Sequence, residues 1–284
     1  MTTRLARGRG RSARSARYAG RRAARSRYLG WLARAGFAAR GVLYVIIGCV
    51  AIEIAFGHAR NQADSAGAVR LVAATPVGLI ALWLLAAGFI GLALWRLAEA
   101  AYGGPGPGGH KPAARLAALG KAVVYGVLAF TVVKYAIGAG APKSSNQQSA
   151  DLTASVLHHP GGQAVVVAAG LALIVGGAYL AYSCWRRRFL KELSLARASR
   201  RTRRVVTWLG QAGGIARGVV FAAVGVFLVV AGVKAQPSQA KGIDATLRAF
   251  AQTPLGPWLL VVVAAGLVTF GLYSGCEARW GKVS

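Results

Sequence analysis

Acidic side chains are scarce in this chain. Seven Asp and Glu stand against 35 Lys and Arg, which leaves a formal net charge of +28 over 284 residues. Cysteine is nearly absent as well. Cys49, Cys184 and Cys276 fall in or at the ends of apolar runs. There is no CxxC and no His/Cys cluster, which argues against an outer-loop disulfide framework and a zinc site. The three thiols read as small packing hydrophobes. Also missing are a Walker loop, a Gly-rich nucleotide loop after a strand, HExxH and GxSxG. No nucleophile–base set takes their place. The chain is therefore expected not to be an enzyme and to carry no cofactor or metal. No period-two alternation is present, which removes a membrane β-barrel. A cleaved secretory leader is not expected either, because the first apolar run is too long and lacks a clear small-residue cleavage site.

What the chain has in abundance is apolar surface. Hydrophobic residues make up 55% of it, more than the ~45–50% usual for soluble domains. They gather into six runs, 36–57, 76–98, 116–138, 161–184, 213–235 and 254–276. A helix needs about 20 residues to cross the ~30 Å hydrocarbon core, and each run reaches that length. The expected fold is an all-α membrane protein with six transmembrane helices. Basic residues set its orientation. Residues 1–35 hold eleven Arg and no acid, and 186–204 holds nine Lys or Arg. Short basic loops stay cytoplasmic, so both termini are expected inside. Arg exceeds Lys and Ala, Gly and Val abound, which fits a GC-rich bacterial genome; the expected location is the bacterial plasma membrane.

The chain also repeats itself. Over 31–48 and 208–225, Trp31, Leu32, Ala35, Gly36, Ala39, Arg40, Gly41, Val42 and Gly48 match Trp208, Leu209, Ala212, Gly213, Ala216, Arg217, Gly218, Val219 and Gly225. A weaker middle copy places Tyr125-Gly126-Val127-Leu128 against Arg40-Gly41-Val42-Leu43. The even-numbered runs repeat an Asp, then Pro-x-Gly, then Ala-Ala-Gly. The copies are Asp64, Pro76, Gly78, Gly88; Asp151, Pro160, Gly162, Gly170; and Asp244, Pro254, Gly256, Gly266. Each unit is one membrane hairpin. An even number of spans per unit leaves all copies pointing the same way, which predicts three tandem hairpins in a pseudo-threefold arrangement. The expected divisions are a disordered Arg-rich tail over 1–30, hairpins over 31–102, 115–185 and 205–280, a Gly/Pro linker over 103–114, and a basic loop over 186–204.

Four charged residues lie near the inner ends of the spans: Arg40, Glu99, Arg217 and Glu277. They are expected to form structural Arg–Glu pairs, within a hairpin or around the ring; the alternative is arginines that snorkel and mark the cytoplasmic side. Asp64, Asp151 and Asp244 are expected to cap short outer helices, and Thr75-Pro76 and Thr253-Pro254 to open the following spans. Gly218, Gly225 and Gly232 recur every seven residues, as do Gly41 and Gly48. Small residues at that spacing form a flat packing stripe, which matters where lipid supplies no hydrophobic drive between helices. Glu53 and Lys134 lie near the outer ends of their spans and do not recur in all copies. His58, His158 and His159 read as loop residues. Phe189, Leu190 and Leu193 suggest an interfacial helix within the basic loop.

These Arg-Gly-Val and Asp…Pro-x-Gly…Ala-Ala-Gly hairpins resemble a bacterial membrane family known as domain of unknown function 1206. The likeness covers about 30–280. It implies six transmembrane helices in three two-helix repeats, with no assigned activity, cofactor or catalytic residue. The middle copy departs from it, with Tyr125 for the arginine and no counterpart of Glu99. Two functions compete. The first is a structural or regulatory membrane component, with the tail on anionic lipids of the inner leaflet and a membrane protein or a second copy as partner. The other is a small-solute or ion pathway along the pseudo-threefold axis. A Gly/Ala/Val-filled axis favours the former and polar residues at mid-membrane favour the latter. Nucleic acid is the lesser alternative for the tail, since no RNA-binding fold accompanies it.

Overall fold

A computed structural model describes residues 27–58, 61–103, 111–140, 142–195 and 198–281. The Arg-rich tail lies almost wholly outside these residues, as does most of the Gly/Pro linker. The long helices are α1 (Arg27–Ala55), α3 (Gly78–Tyr102), α4 (Pro112–Ala136), α6 (Gly162–Trp185), α7 (Arg200–Val233) and α9 (Gly256–Trp280). Three short helices join them in pairs: α2 (Ser65–Ala73), α5 (Ser145–Leu157) and α8 (Ile243–Ala251). The described residues are otherwise short 3₁₀ turns, loops and one isolated bridge between Leu193 and Gly281. All six long helices are long and apolar enough to cross a membrane. The chain is a multi-pass membrane protein built of helical hairpins. Both ends of the described chain lie at one end of the bundle, here the terminal end. The short helices form the opposite, cap end.

The recurring Pro-x-Gly is a corner between a short helix and the span after it. A Cβ on Gly78, Gly162 or Gly256 would strike the carbonyl of Ala73, Val156 or Ala251 respectively, each at the end of the preceding short helix. Only hydrogen fits where the two backbones close so tightly. The expected Thr-Pro helix start is not what forms. Thr75 Oγ1 donates to Val72 O at 2.7 Å and Thr253 Oγ1 to Phe250 O at 2.9 Å. Each hydroxyl thus serves the helix behind it, and the spans begin three residues after each threonine, at Gly78 and Gly256.

Seams between the long helices follow the glycine stripes. α1 runs antiparallel to α9, with Gly41 against Gly271 and Gly48 against Ala264 and Val268. α7 runs antiparallel to α6, with Gly218 against Gly177, Gly225 against Gly170 and Gly232 against Val167. Both stripes join different repeats. Within the first and third repeats, Gly88 meets Ala35 and Ala39, and Gly266 meets Ala216. The middle repeat is different. Its Gly170 faces α7, and α4 packs along α3 through Ala118, Ala122, Tyr125, Ala129 and Val132. α4 and α6 share no packed seam. The spans therefore stand as an open series, α4–α3–α1–α9–α7–α6. Gly126 on α4 and Gly176 on α6 have nothing within 4 Å among the described residues. The apolar faces these two helices expose suit lipid.

The basic segment after α6 differs from expectation too. Instead of an interfacial helix it forms a 3₁₀ turn, Arg188–Glu192. Phe189 packs edge-on against Tyr273, and Leu193 is buried with Val206 and Phe270. Protein, not lipid, takes up its apolar side chains. The turn is fixed by Ser194 N–H donating to Trp280 O at 2.8 Å. The last residues of the expected loop, Arg200–Arg204, belong to α7, whose N-cap is Ser199.

Candidate functional site

At the terminal end, the seam between α1 and α9 brings Arg40 beside Glu277. Arg40 is buried, yet each guanidinium nitrogen has a partner. Nε donates to Ser274 Oγ at 3.1 Å, Nη1 to the Tyr125 hydroxyl at 3.0 Å, and Nη2 to Glu277 Oε2. Phe37 and Phe270 flank it, with ring centroids 4.9 and 5.2 Å from its Cζ. A buried charge is tolerable when it is paired and its remaining hydrogens are satisfied. The aligned positions Arg40 and Tyr125 thus meet each other directly.

The other expected pairs do not form. Glu99 accepts from Arg96 Nη1 at 2.7 Å, one turn back on the same helix. Residues three apart share a helix face, while the α1–α9 seam gives Arg40 to Glu277. Arg217 has no acidic partner among the described residues. Instead its Cζ lies 5.5, 4.9 and 4.8 Å from the rings of Tyr44, Phe221 and Phe270. Aromatic faces attract a guanidinium electrostatically, more strongly where water is excluded. Buried Nε atoms of Arg96 and Arg217 have no hydrogen-bond partner among the described residues. Three arginines and two glutamates thus leave this cluster one positive charge in excess. Tyr125, Arg96 and Ser274 were not expected members of the cluster. Tyr125 was visible in the sequence only as a departure from the repeat.

At the cap end a second polar network links the three repeats in turn. Asp64, fully buried, caps α2 by accepting from Gly67 N–H at 2.9 Å, and it also accepts from Ser145 N–H at 2.6 Å. Asn146 Oδ1 accepts from Gly242 and Ala245 N–H at 3.0 and 3.2 Å. Asp244 Oδ1 accepts from Ala63 N–H at 2.8 Å. The first repeat thus holds the second, the second the third, and the third the first. Arg70 to Pro142 O and Arg248 to Asn61 O add two further links, at 2.9 and 3.1 Å.

Two of the expected caps are corrected here. Asp244 stands in the first turn of α8, two residues past its N-cap Gly242, and ties down a neighbouring loop instead. Asp151 lies in the middle of α5 and makes an exposed pair with Lys143 at 2.6 Å. The residue that does the work of an Asp in the middle repeat is Asn146, two past the N-cap Ser144. Ser144 and Gln147 form a reciprocal capping box. That S-x-x-Q spacing is a sequence signal for a helix start, and it would have placed Asn146 correctly. An amide can replace the carboxylate because the acceptor oxygen is what the neighbouring N–H groups use.

Glu53 and Lys134 are exposed on the outside of their helices, as are His58, His158 and His159. Among the described residues no three His, Cys, Asp or Glu come together as a metal site.

A model of the family described as Domain of Unknown Function (DUF1206) matches the chain three times, over residues 35–103, 116–187 and 212–281. Each match covers one pair of long helices. The "Uncharacterized protein YxxB" of Bacillus subtilis (strain 168) is 29% identical over 243 residues, which span 85% of this chain and 87% of that relative. No solved structure matches the chain.

Proposed function

We propose, on the premise that the chain belongs to the DUF1206 family, that it is a structural or regulatory component of the bacterial plasma membrane and not an enzyme. Its three hairpins stand about a pseudo-threefold axis, with the middle one splayed, and both termini are cytoplasmic. The Arg-rich tail lies on anionic lipid, and the partner is another membrane protein or a second copy. The observation that carries a structural role is the filling of the bundle between its two polar ends. Leu43, Ile47, Val50, Phe89, Val220 and Leu267 form one continuous buried cluster, whereas Glu53 and Lys134 point away from it. An apolar, close-packed interior gives an ion or polar solute no partners along its way. The cyclic order of links at the cap end supports the threefold arrangement, and the basic terminal end supports a cytoplasmic location.

Single cysteines in a cysteine-free background provide the test. Cysteines at Ile47, Val50 and Leu267 are expected to resist membrane-impermeant thiol reagents from both sides. Those at either chain end are expected to react only from the cytoplasm. Reaction of Ile47→Cys and Val50→Cys from both sides would establish a water-filled pathway and displace the structural role.

A further inference from the structure

The terminal end carries a second concentration of charge, away from the buried Arg40 cluster. α7 begins well before its apolar run, and its first three turns stand beside the end of α6. Between them lies a cleft of about 430 Å³ lined by Arg187, Arg200, Arg203, Arg204, Thr207 and Trp208. None of the four arginines pairs with an acid whose side chain is described. Thr207 Oγ1 donates to Arg203 O at 2.7 Å, and Gln211 Nε2 fastens the floor of the cleft to Trp185 O at 3.0 Å. Three of the arginines lie in the first turns of α7, which contain no acid. Cations there oppose the positive end of the helix dipole. The arrangement is locally unfavourable until an anion occupies the cleft. The cleft also has a fixed depth. Trp208 in its lining is 62% exposed, as is Trp185 at the end of α6 at 69%, and α7 turns apolar five residues beyond Trp208. Exposed tryptophans beside an apolar span mark the level of the lipid headgroups.

We propose that this cleft binds the phosphate-bearing headgroup of an anionic phospholipid. The arginines provide forked donors that match phosphate oxygens. Trp208 packs beside the glycerol region, and the acyl chains run down the exposed apolar face of α6. A soluble phosphate compound would use the same arginines but gain nothing from that face. The site is separate from the N-terminal tail and does not depend on what the tail binds.

The full chain, purified in neutral detergent, is titrated with short-chain phosphatidylglycerol, with phosphatidylcholine of the same chain length, and with inorganic phosphate. Bound lipid is counted by native mass spectrometry. The triple variant Arg200→Gln/Arg203→Gln/Arg204→Gln alters only surface side chains. A tail variant with the same charge loss, Arg4→Gln/Arg7→Gln/Arg9→Gln, serves as the control. Phosphatidylglycerol is expected to bind more tightly than phosphatidylcholine. The cleft variant is expected to lose about a hundredfold in affinity, since each basic side chain near an anionic surface contributes about fivefold. The tail variant is expected to keep the wild-type affinity. Equal loss in both variants would assign the lipid to diffuse charge and overturn the site. Retained affinity in the cleft variant would overturn it too. Competition by inorganic phosphate at equal concentration would overturn the lipid as the source of the phosphate. An unchanged melting temperature and circular dichroism spectrum would show that the cleft variant is folded. If it is not, the single Arg203→Gln and Arg204→Gln variants, measured the same way, are each expected to lose about fivefold in affinity for phosphatidylglycerol, and unchanged affinity in both would overturn the site.

Discussion

Four glycines that look alike in the sequence should behave in opposite ways when given a methyl group. Gly218 and Gly225 lie on the seam between α7 and α6. A Cβ at Gly218 would stand 2.6 Å from Gly177 O and 2.9 Å from Ala181 N, and one at Gly225 2.7 Å from Gly170 O and 2.8 Å from Ile174 N. Ordinary contact begins at 3.4 Å, so at Gly218 the shortfall reaches 0.8 Å against backbone atoms. Neither atom belongs to a flexible side chain, and the two helices must separate along their length. Overpacking of this kind costs about 1–3 kcal/mol. In lipid the loss falls directly on van der Waals contact, which is most of what holds the seam together. Gly126 and Gly176 have nothing within 4 Å. There, alanine relieves the entropic cost of glycine in a helix and stabilises by about 0.5–1 kcal/mol. Gly218→Ala and Gly225→Ala are therefore expected to unfold earlier than wild type, and Gly126→Ala and Gly176→Ala later. Equilibrium unfolding in mixed micelles of increasing SDS fraction, followed by tryptophan fluorescence, separates the two groups. Their double variant on the seam should cost less than the sum, because one retreat of α6 serves both methyls. Four variants with indistinguishable midpoints would refute the glycine seam.

Two further predictions concern the polar ends. At the cap end, Asp64→Ala and Asn146→Ala each strand backbone N–H groups of a neighbouring repeat, at about 1–3 kcal/mol per buried group left unpaired; Asp151→Ala removes only an exposed pair and should cost no more than about 1 kcal/mol. Protease sensitivity of the cap helices reports the difference, and equal sensitivity of Asp64→Ala and Asp151→Ala would contradict the network. At the terminal end, Arg40→Ala is expected to destabilise by about 3 kcal/mol, since it leaves the largely covered Glu277 without its partner and strands the Tyr125 and Ser274 hydroxyls. A double-mutant cycle should find coupling of Arg40 with Glu277 of about 1 kcal/mol or more, and additivity of Arg40 with Glu99 within about 0.5 kcal/mol. Coupling of the reverse pattern would mean that Arg40 belongs to its own hairpin.

The middle repeat accounts for most of the asymmetry. Where the first and third copies carry arginine, it carries Tyr125, which joins the Arg40 network as a neutral partner. Where they carry Asp64 and Asp244, it carries Asn146. Its two spans pack on the repeats to either side instead of on each other. A second charge at position 125 would have faced Arg40 at hydrogen-bonding distance. The substitution removes a like-charge contact at the meeting point of the repeats.

The number of spans, their helical form, their threefold repetition and the seven-residue glycine stripes were all legible in the amino-acid sequence, whereas the middle two spans, expected as a hairpin, share no packed seam. These properties are local. Apolar length decides what can cross a bilayer, lipid forces each crossing segment to satisfy its own hydrogen bonds, and duplication repeats the answer. Tertiary structure alone decided which groups meet. Glu277 reaches Arg40 across 237 positions because the last helix packs on the first, and that seam left Glu99 to Arg96 and Arg217 to aromatic rings. The Ser144–Gln147 box in the sequence fixes where α5 begins and so the place of Asn146, but that the loop before α8 lies opposite it was decided by the tertiary structure. Charge pairing between distant helices is set by the seam they share, and no spacing along the chain encodes it.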